Sequence, residues 1–220
     1  MKNRGLILFS IFVVAALAGA SAWAGHSLPA DAQLPMHWNA AGEVDRYGDK
    51  WTALMLPPLL AAVLTLIMWG ISRIEPQQDH LAKSQGLFRV GWLGGLGLGV
   101  VIELMLLSTV FHWGLSPLGL IIGAVGLFFV AMGDQFGKTR PMYMVGIRTP
   151  WTLADPEVWT ATHRLGGKLL VLAGLVWLIT ALFGWVNVLT LPILVLVMAV
   201  ASLVPVVYSY LLWRRLHKEA

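Results

Sequence analysis

Six long apolar stretches restrict this chain to a narrow set of structures. Gly5–Ala24, Thr52–Ile71, Val90–Phe111, Leu115–Gly133, Leu169–Trp185 and Val188–Trp213 each reach the ~17–25 residues that a helix needs to cross a bilayer core. Lipid offers no hydrogen bonds to a spanning segment, so such a run must satisfy its own backbone as an α-helix. Composition agrees: 58% of the 220 residues are hydrophobic and 12% are charged, where a soluble domain carries about 25% charged residues. Eleven tryptophans suit a chain with two lipid–water interfaces. The expected fold class is all-α, a polytopic membrane protein of six transmembrane helices. There are no cysteines, which excludes disulfides, thiolate metal sites and cysteine nucleophiles.

The basic residues give an orientation. Of fifteen Lys and Arg, only Arg46 and Lys50 fall in the loops of one side. Lys2 and Arg4, then Arg73, Lys83 and Arg89, then Lys138, Arg140, Arg148, Arg164 and Lys168, then Arg214, Arg215 and Lys218 all fall on the other. Basic loops stay inside, so both termini are expected in the cytoplasm, with the protein in a cytoplasmic membrane. The net charge of +4 is thereby explained by orientation and needs no nucleic-acid partner. Met1–Gly25 also has the form of a signal peptide, with an Ala22-Trp23-Ala24 cleavage pattern. Its apolar region of about 19 residues exceeds the usual ~7–15, and retention as a first helix is expected.

The organisation follows. Residues 1–71 form a helical hairpin around an external loop at 25–51, residues 72–89 a cytoplasmic loop, and residues 90–220 a four-helix region with a long loop at 134–168. Gly91, Gly95 and Gly99, and again Gly119 and Gly123, are spaced four apart. That spacing lets helix backbones approach in lipid and marks a packing seam, within one chain or between copies in a homo-oligomer.

Two polar loops concentrate unusual residues. The external loop, which contains "LPMHWNAAGEVDRYGDKW", sets Asp31, Glu43, Asp45 and Asp49 against two bases. Asp45, Tyr47, Gly48 and Lys50 suggest a turn near the second span. His37 lacks the spacing of a metal site, and Trp38, Tyr47 and Trp51 suit an interface anchor. The other loop reads "MVGIRTPWTLADPEVWTATHRLGGK". Pro150 favours an extended approach through Arg148 and Thr149. Asp155-Pro156-Glu157 reads as the start of a short interfacial helix, running to about Leu165 and ended by Gly166-Gly167. Trp159 and His163 share a face of it. Arg148, Thr149, Pro150, Trp151, Trp159, His163 and Arg164 are expected to form one cytoplasmic site, with His163 turned towards Arg148 and Arg148 binding Asp134, Glu157 or an acidic partner.

These residues resemble the signature of the SdpI-like immunity protein family of bacterial multi-span membrane proteins. The matching positions are Gly146–Leu153, Val158-Trp159, Thr162-His163 and Gly166-Gly167. The external "LP-x-HWN-x-x-G-x-x-D-x-YG-x-K", with His37, Trp38, Asn39, Asp45 and Tyr47, is similar to the uncharacterised domain that often precedes that signature. The chain departs from the pattern at Asp134-Gln135, where many relatives enter the loop with Gly-Asn. The resemblance implies immunity against a membrane-active peptide toxin met on the external face, coupled in some settings to a cytoplasmic regulatory protein.

Other function classes leave weaker marks. No HExxH, GxSxG or paired-aspartate motif lies on a span, so no enzymatic activity and no cofactor are expected. Glu103 is the one acid well inside a span. Intramembrane carboxylates are candidate relays, and the alternative function is a small secondary transporter using Glu103. The topology has a direct check. A reporter active only in the cytoplasm should work when fused after Pro76, Arg140 or Ala220 and fail after Asn39 or Ser116; activity after Asn39 would reverse every loop assignment.

Overall fold

The computed structural model describes residues 3–39 and 41–218; Lys2 of the charge pattern and the fusion point Ala220 lie outside the described residues. The chain is mostly helical. Helices α1 (Arg4–Ser27), α2 (Lys50–Ile74), α4 (Gln85–Phe111), α5 (Pro117–Phe136), α7 (Pro156–Leu182) and α8 (Thr190–Leu216) are each long and apolar enough to cross a membrane. The short helices α3 (Gln78–Lys83) and α6 (Pro150–Ala154) and the strands β1 (Gln33–Trp38) and β2 (Val44–Asp49) lie in the connections.

Polar side chains start the helices where the sequence leaves unpaired N–H groups. The Asp49 carboxylate accepts from the N–H groups of Trp51 and Thr52 at 2.9 and 3.2 Å. Ser116 accepts from Gly119 at 3.3 Å, with Pro117 in the first turn of α5. Asp155 accepts from Glu157 and Val158 at 2.7 and 3.2 Å, with Pro156 in the first turn of α7.

The described ends of the chain meet at one end of the bundle. Leu6 and Ile7 of α1 pack against a core cluster that includes Leu81, Met142 and Trp159. At the end of α8, His217 Nε2 lies 3.8 Å from Asp155. This is the end rich in Lys and Arg. The opposite end carries an antiparallel β1–β2 hairpin, an addition to the expected all-helical plan, with Pro35 opposite Tyr47 and His37 opposite Arg46. Its turn is not at Asp45–Lys50, as expected, but at Asn39–Glu43. There Asn39 Oδ1 accepts from Ala41 and Glu43 at 2.9 and 3.0 Å, and Gly42 takes φ +85°. Asp45 and Tyr47 belong to β2, and Lys50 opens α2. The buried Lys50 ammonium donates to the carbonyls of Leu28 and Pro29 at 2.9 and 2.8 Å. A cation there meets the negative end of the α1 dipole.

The helices pack in a chain of neighbours. α1, α2 and α4 enclose a core of Val13, Leu17, Ala61, Met68, Phe88, Trp92 and Leu96, where the Trp92 indole donates to Ser10 at 2.9 Å. α5 packs on α4 and, most extensively, on α7, which also packs on α8. Gly91, Gly95 and Gly99 do lie against α2, near Met68, Leu64 and Ala61, and Gly123 faces Ala181. Gly119 meets only its own capping serine. The tightest seam involves other glycines. A Cβ on Gly133 would lie 2.6 Å from the carbonyl oxygen of Gly167, and one on Gly174 would lie 2.6 Å from that of Gly126. Gly126 and Gly133 on α5 thus face Gly174 and Gly167 on the antiparallel α7, backbone against backbone.

This seam corrects the expected helix end. Gly166-Gly167 does not terminate a helix: α7 continues to Leu182, and the separate short helix is α6, one segment earlier. Neither glycine has positive φ; both are used for their missing side chain, Gly167 against α5 and Gly166 against Ile147 and Pro205. Gly174→Ala should therefore lower the thermal unfolding midpoint in detergent, since overpacking costs about 1–3 kcal/mol. Gly19→Ala, with no atom within 4 Å of its Cβ position, should leave the midpoint unchanged or raise it.

Candidate functional site

The segment from Thr139 to Thr149 is neither helix nor strand, yet it lies against the basic end of the bundle with Met142 and Thr149 buried. Such a backbone must find partners outside regular structure, and here it finds side chains. The N–H of Arg140 donates to Ser84 Oγ at 2.9 Å. Those of Tyr143 and Met144 donate to Glu75 Oε2 at 3.1 and 2.7 Å. That of Ile147 donates to His163 Nε2 at 2.9 Å, and that of Thr149 to Thr152 Oγ1 at 2.9 Å. Glu75, 2% exposed, also accepts from Gln77 at 3.0 Å, and a His80 ring nitrogen meets the Pro141 carbonyl.

His163 is the centre of this arrangement. Its Nδ1–H donates to the Trp159 carbonyl at 2.9 Å while Nε2 accepts from Ile147. These two bonds define the neutral Nδ1–H tautomer. The ring stacks on Trp159, 4.0 Å between centroids, and both side chains are fully buried. The Trp159 indole donates to Thr139 Oγ1 at 3.2 Å. Gly146 passes beside them at φ +116°, where a Cβ would lie 2.7 Å from His163 Nε2; no other residue fits. Thr149 and Thr152 cap α6 reciprocally, and Thr149 Oγ1 lies 3.1 Å from Ser209 Oγ on α8. Trp151 packs on Tyr210, 5.0 Å between ring centroids.

The expected contact between His163 and Arg148 is not made. His163 serves the Ile147 backbone, and the exposed Arg148 donates from Nη1 to the Tyr143 carbonyl at 2.6 Å. The cause is local: Thr149 is extended, with φ −91° and ψ 160°, and its side chain is buried towards Ser209, so Arg148 turns outward. Nor does Arg148 pair with Asp134 or Glu157. Asp134 binds Lys138 at 2.8 Å, and Glu157 is exposed. Arg164 stands on a different face of α7, exposed, with its side chain over Gly137.

The external candidates occupy the other end of the molecule. His37 Nδ1 lies 2.6 Å from Asp45 Oδ1 in an exposed pair, Trp38 packs against the outer core cluster, Asn39 forms the turn, and Tyr47 is 59% exposed. Among the described residues, no group of three or more His, Asp or Glu is arranged to hold a metal. Glu103 is buried between helices. Its Oε1 lies 2.9 Å from Ser21 Oγ, which also lies 2.7 Å from the Leu54 carbonyl. Ser21 has one hydrogen for these two acceptors, and the three groups link α1, α2 and α4. Its Oε2 has no partner among the described residues.

Sequence reasoning missed Glu75, Ser84 and Ser209. Glu75 left a usable signal: an acid at a helix C-terminus opposes the dipole, so its place there needs another reason. Ser84 and Ser209 left none.

The chain matches the SdpI/YfhL protein family over residues 138–209 and the domain of unknown function DUF1648 over residues 11–62. It is 27% identical over 178 residues to the immunity protein SdpI of Bacillus subtilis (strain 168), covering 77% of this chain and 80% of that protein. No solved structure matches it. The β1–β2 hairpin lies within the DUF1648 match, and the braced loop within the SdpI/YfhL match. The chain is thus a multi-pass membrane protein similar to the Bacillus immunity protein SdpI, with a region that matches DUF1648 ahead of one that matches the SdpI/YfhL family.

Proposed function

We propose that this chain is an immunity protein of the bacterial inner membrane, protecting its cell against a membrane-active peptide toxin without catalysing a reaction. The observation that carries this reading is similarity to a protein named for immunity, spread over most of both chains. The architecture supports a division of labour. By the basic-loop rule, the braced loop faces the cytoplasm and the acidic hairpin faces outward, where it meets the toxin. Thr149, Trp159 and His163 brace the inner surface from within. Arg148 and Trp151 are displayed on it for an acidic cytoplasmic partner, which relays the external event. One Arg148 nitrogen is held by Tyr143, leaving the rest of the planar fork to grip a carboxylate in a way Lys cannot copy.

Deletion in the native host, followed by challenge with membrane-active peptides from neighbouring strains, should raise sensitivity, and the wild-type gene should restore resistance. Unchanged sensitivity to every peptide would overturn the reading. At matched membrane levels, Arg148→Lys should reduce signalling output at least about tenfold, a charge-assisted hydrogen bond contributing about 1.5–3 kcal/mol. Lys83→Arg, on the exposed side of α3, should be silent. Equal, wild-type output from both variants would leave the loop as a topological anchor.

The unpartnered Glu103 Oε2 supports a second reading, a transporter with a mid-membrane relay. Glu103→Gln separates the two, because the amide keeps the shape and a donor for Ser21 but carries no exchangeable carboxyl proton. Immunity without transport predicts full protection by the variant. A folded variant that has lost activity would favour the relay.

A further inference from the structure

We propose that the groove between α5 and α7 at the basic end binds the phosphodiester headgroup of an anionic phospholipid. The groove has a volume of about 630 Å³ and combines two chemistries. Its rim carries Lys138, Arg164 and Lys168 against one carboxylate, Asp134; its wall continues into the apolar Val171 and Leu172. Asp134 is already neutralised by Lys138 at 2.8 Å. Arg164 and Lys168, four residues apart on α7 and both exposed, have no carboxylate within 4.0 Å among the described residues. Two unpaired cations therefore stand side by side above an apolar wall.

The glycine seam builds this shape. Gly133 and Gly167 bring the two backbones into contact, so the floor is shallow and no side chain fills it. Gly137 lets the end of α5 lie directly against Arg164, where a Cβ would be 3.3 Å from Arg164 Cγ. Leu172 is 60% exposed, so the wall faces lipid and not a neighbouring helix. A soluble phosphate would satisfy the rim alone. An amphiphile satisfies both parts: its phosphate lies between Arg164 and Lys168, and its acyl chain runs along Val171 and Leu172. Basic pockets between transmembrane helices at the headgroup level are suited to anionic lipids, and the planar Arg164 guanidinium can take two phosphate oxygens at once. This inference does not depend on the immunity reading.

The test uses the full chain in a neutral detergent, titrated with phosphatidylglycerol, phosphatidylcholine or inorganic phosphate and read by native mass spectrometry and thermal unfolding. Phosphatidylglycerol should bind and raise the unfolding midpoint, and the other two should not. Arg164→Gln with Lys168→Gln should weaken phosphatidylglycerol binding roughly 25-fold, each surface cation contributing about a fivefold factor. The pair Arg214→Gln and Arg215→Gln, which removes equal charge from the same end, should bind as wild type. Equal weakening by both pairs would reduce the effect to diffuse charge and overturn the site. So would unweakened binding in the first pair at an unchanged lipid-free unfolding midpoint. An equal response to inorganic phosphate would overturn the lipid assignment. Because both residues are exposed, a loss of the lipid-free midpoint is not expected; Arg164→Lys, which retains the charge but not the two-point fork, should bind less than wild type and more than Arg164→Gln, and provides the folded comparison.

Discussion

A backbone that leaves regular structure beside a membrane must still satisfy its N–H groups, and in this protein that requirement organises an entire end of the molecule. Between Thr139 and Thr149 the partners come from side chains on four other elements: Glu75 after α2, Ser84 before α4, Thr152 on α6 and His163 on α7. Each acceptor is buried, so loss of any one removes the protein partner of a loop amide, at the cost of a hydrogen bond. The loop therefore acts as a common fastening for helices that are distant in sequence. Its exposed residues inherit a fixed position from the buried ones.

The same economy appears inside the bundle. Lipid gives no hydrophobic drive for one helix to seek another, so α5 and α7 associate through close backbone contact. Two glycines on each helix, seven residues apart, allow it. A seven-residue repeat keeps one face of a helix on its neighbour through two turns, whereas the four-residue repeat on α4 faces the side chains of α2.

The spans were legible because length and hydropathy alone dictate them, and the start of α7 was legible because Asp155-Pro156 carries its mechanism in adjacent residues. The glycine seam was less so: a search for spacing of four overlooked Gly126, Gly133, Gly167 and Gly174, whose spacing is seven. The end of the signature helix was misread because glycine has two uses, left-handed backbone and absent side chain, and the sequence does not say which applies at Gly166-Gly167. The hairpin was hidden because "LPMHW" and "VDRYGD" lack clean alternation of apolar and polar residues. Arg148 was aimed the wrong way because its direction depends on Thr149 finding Ser209, sixty residues later in the chain. No local pattern reports such a contact.

Asp155 is at once the C-cap of one helix and the N-cap of the next: its N–H closes α6 onto Trp151, and its carboxylate opens α7 at Glu157 and Val158. There is no linker between the two helices to take up rotation. In mechanical terms the joint is an elbow, with α7 as the long arm and α6 as the short one. The short arm carries Trp151, whose ring contact with Tyr210 joins the elbow to α8. Thus α6, α7 and α8 are tied together at the basic end of the bundle around a single shared residue.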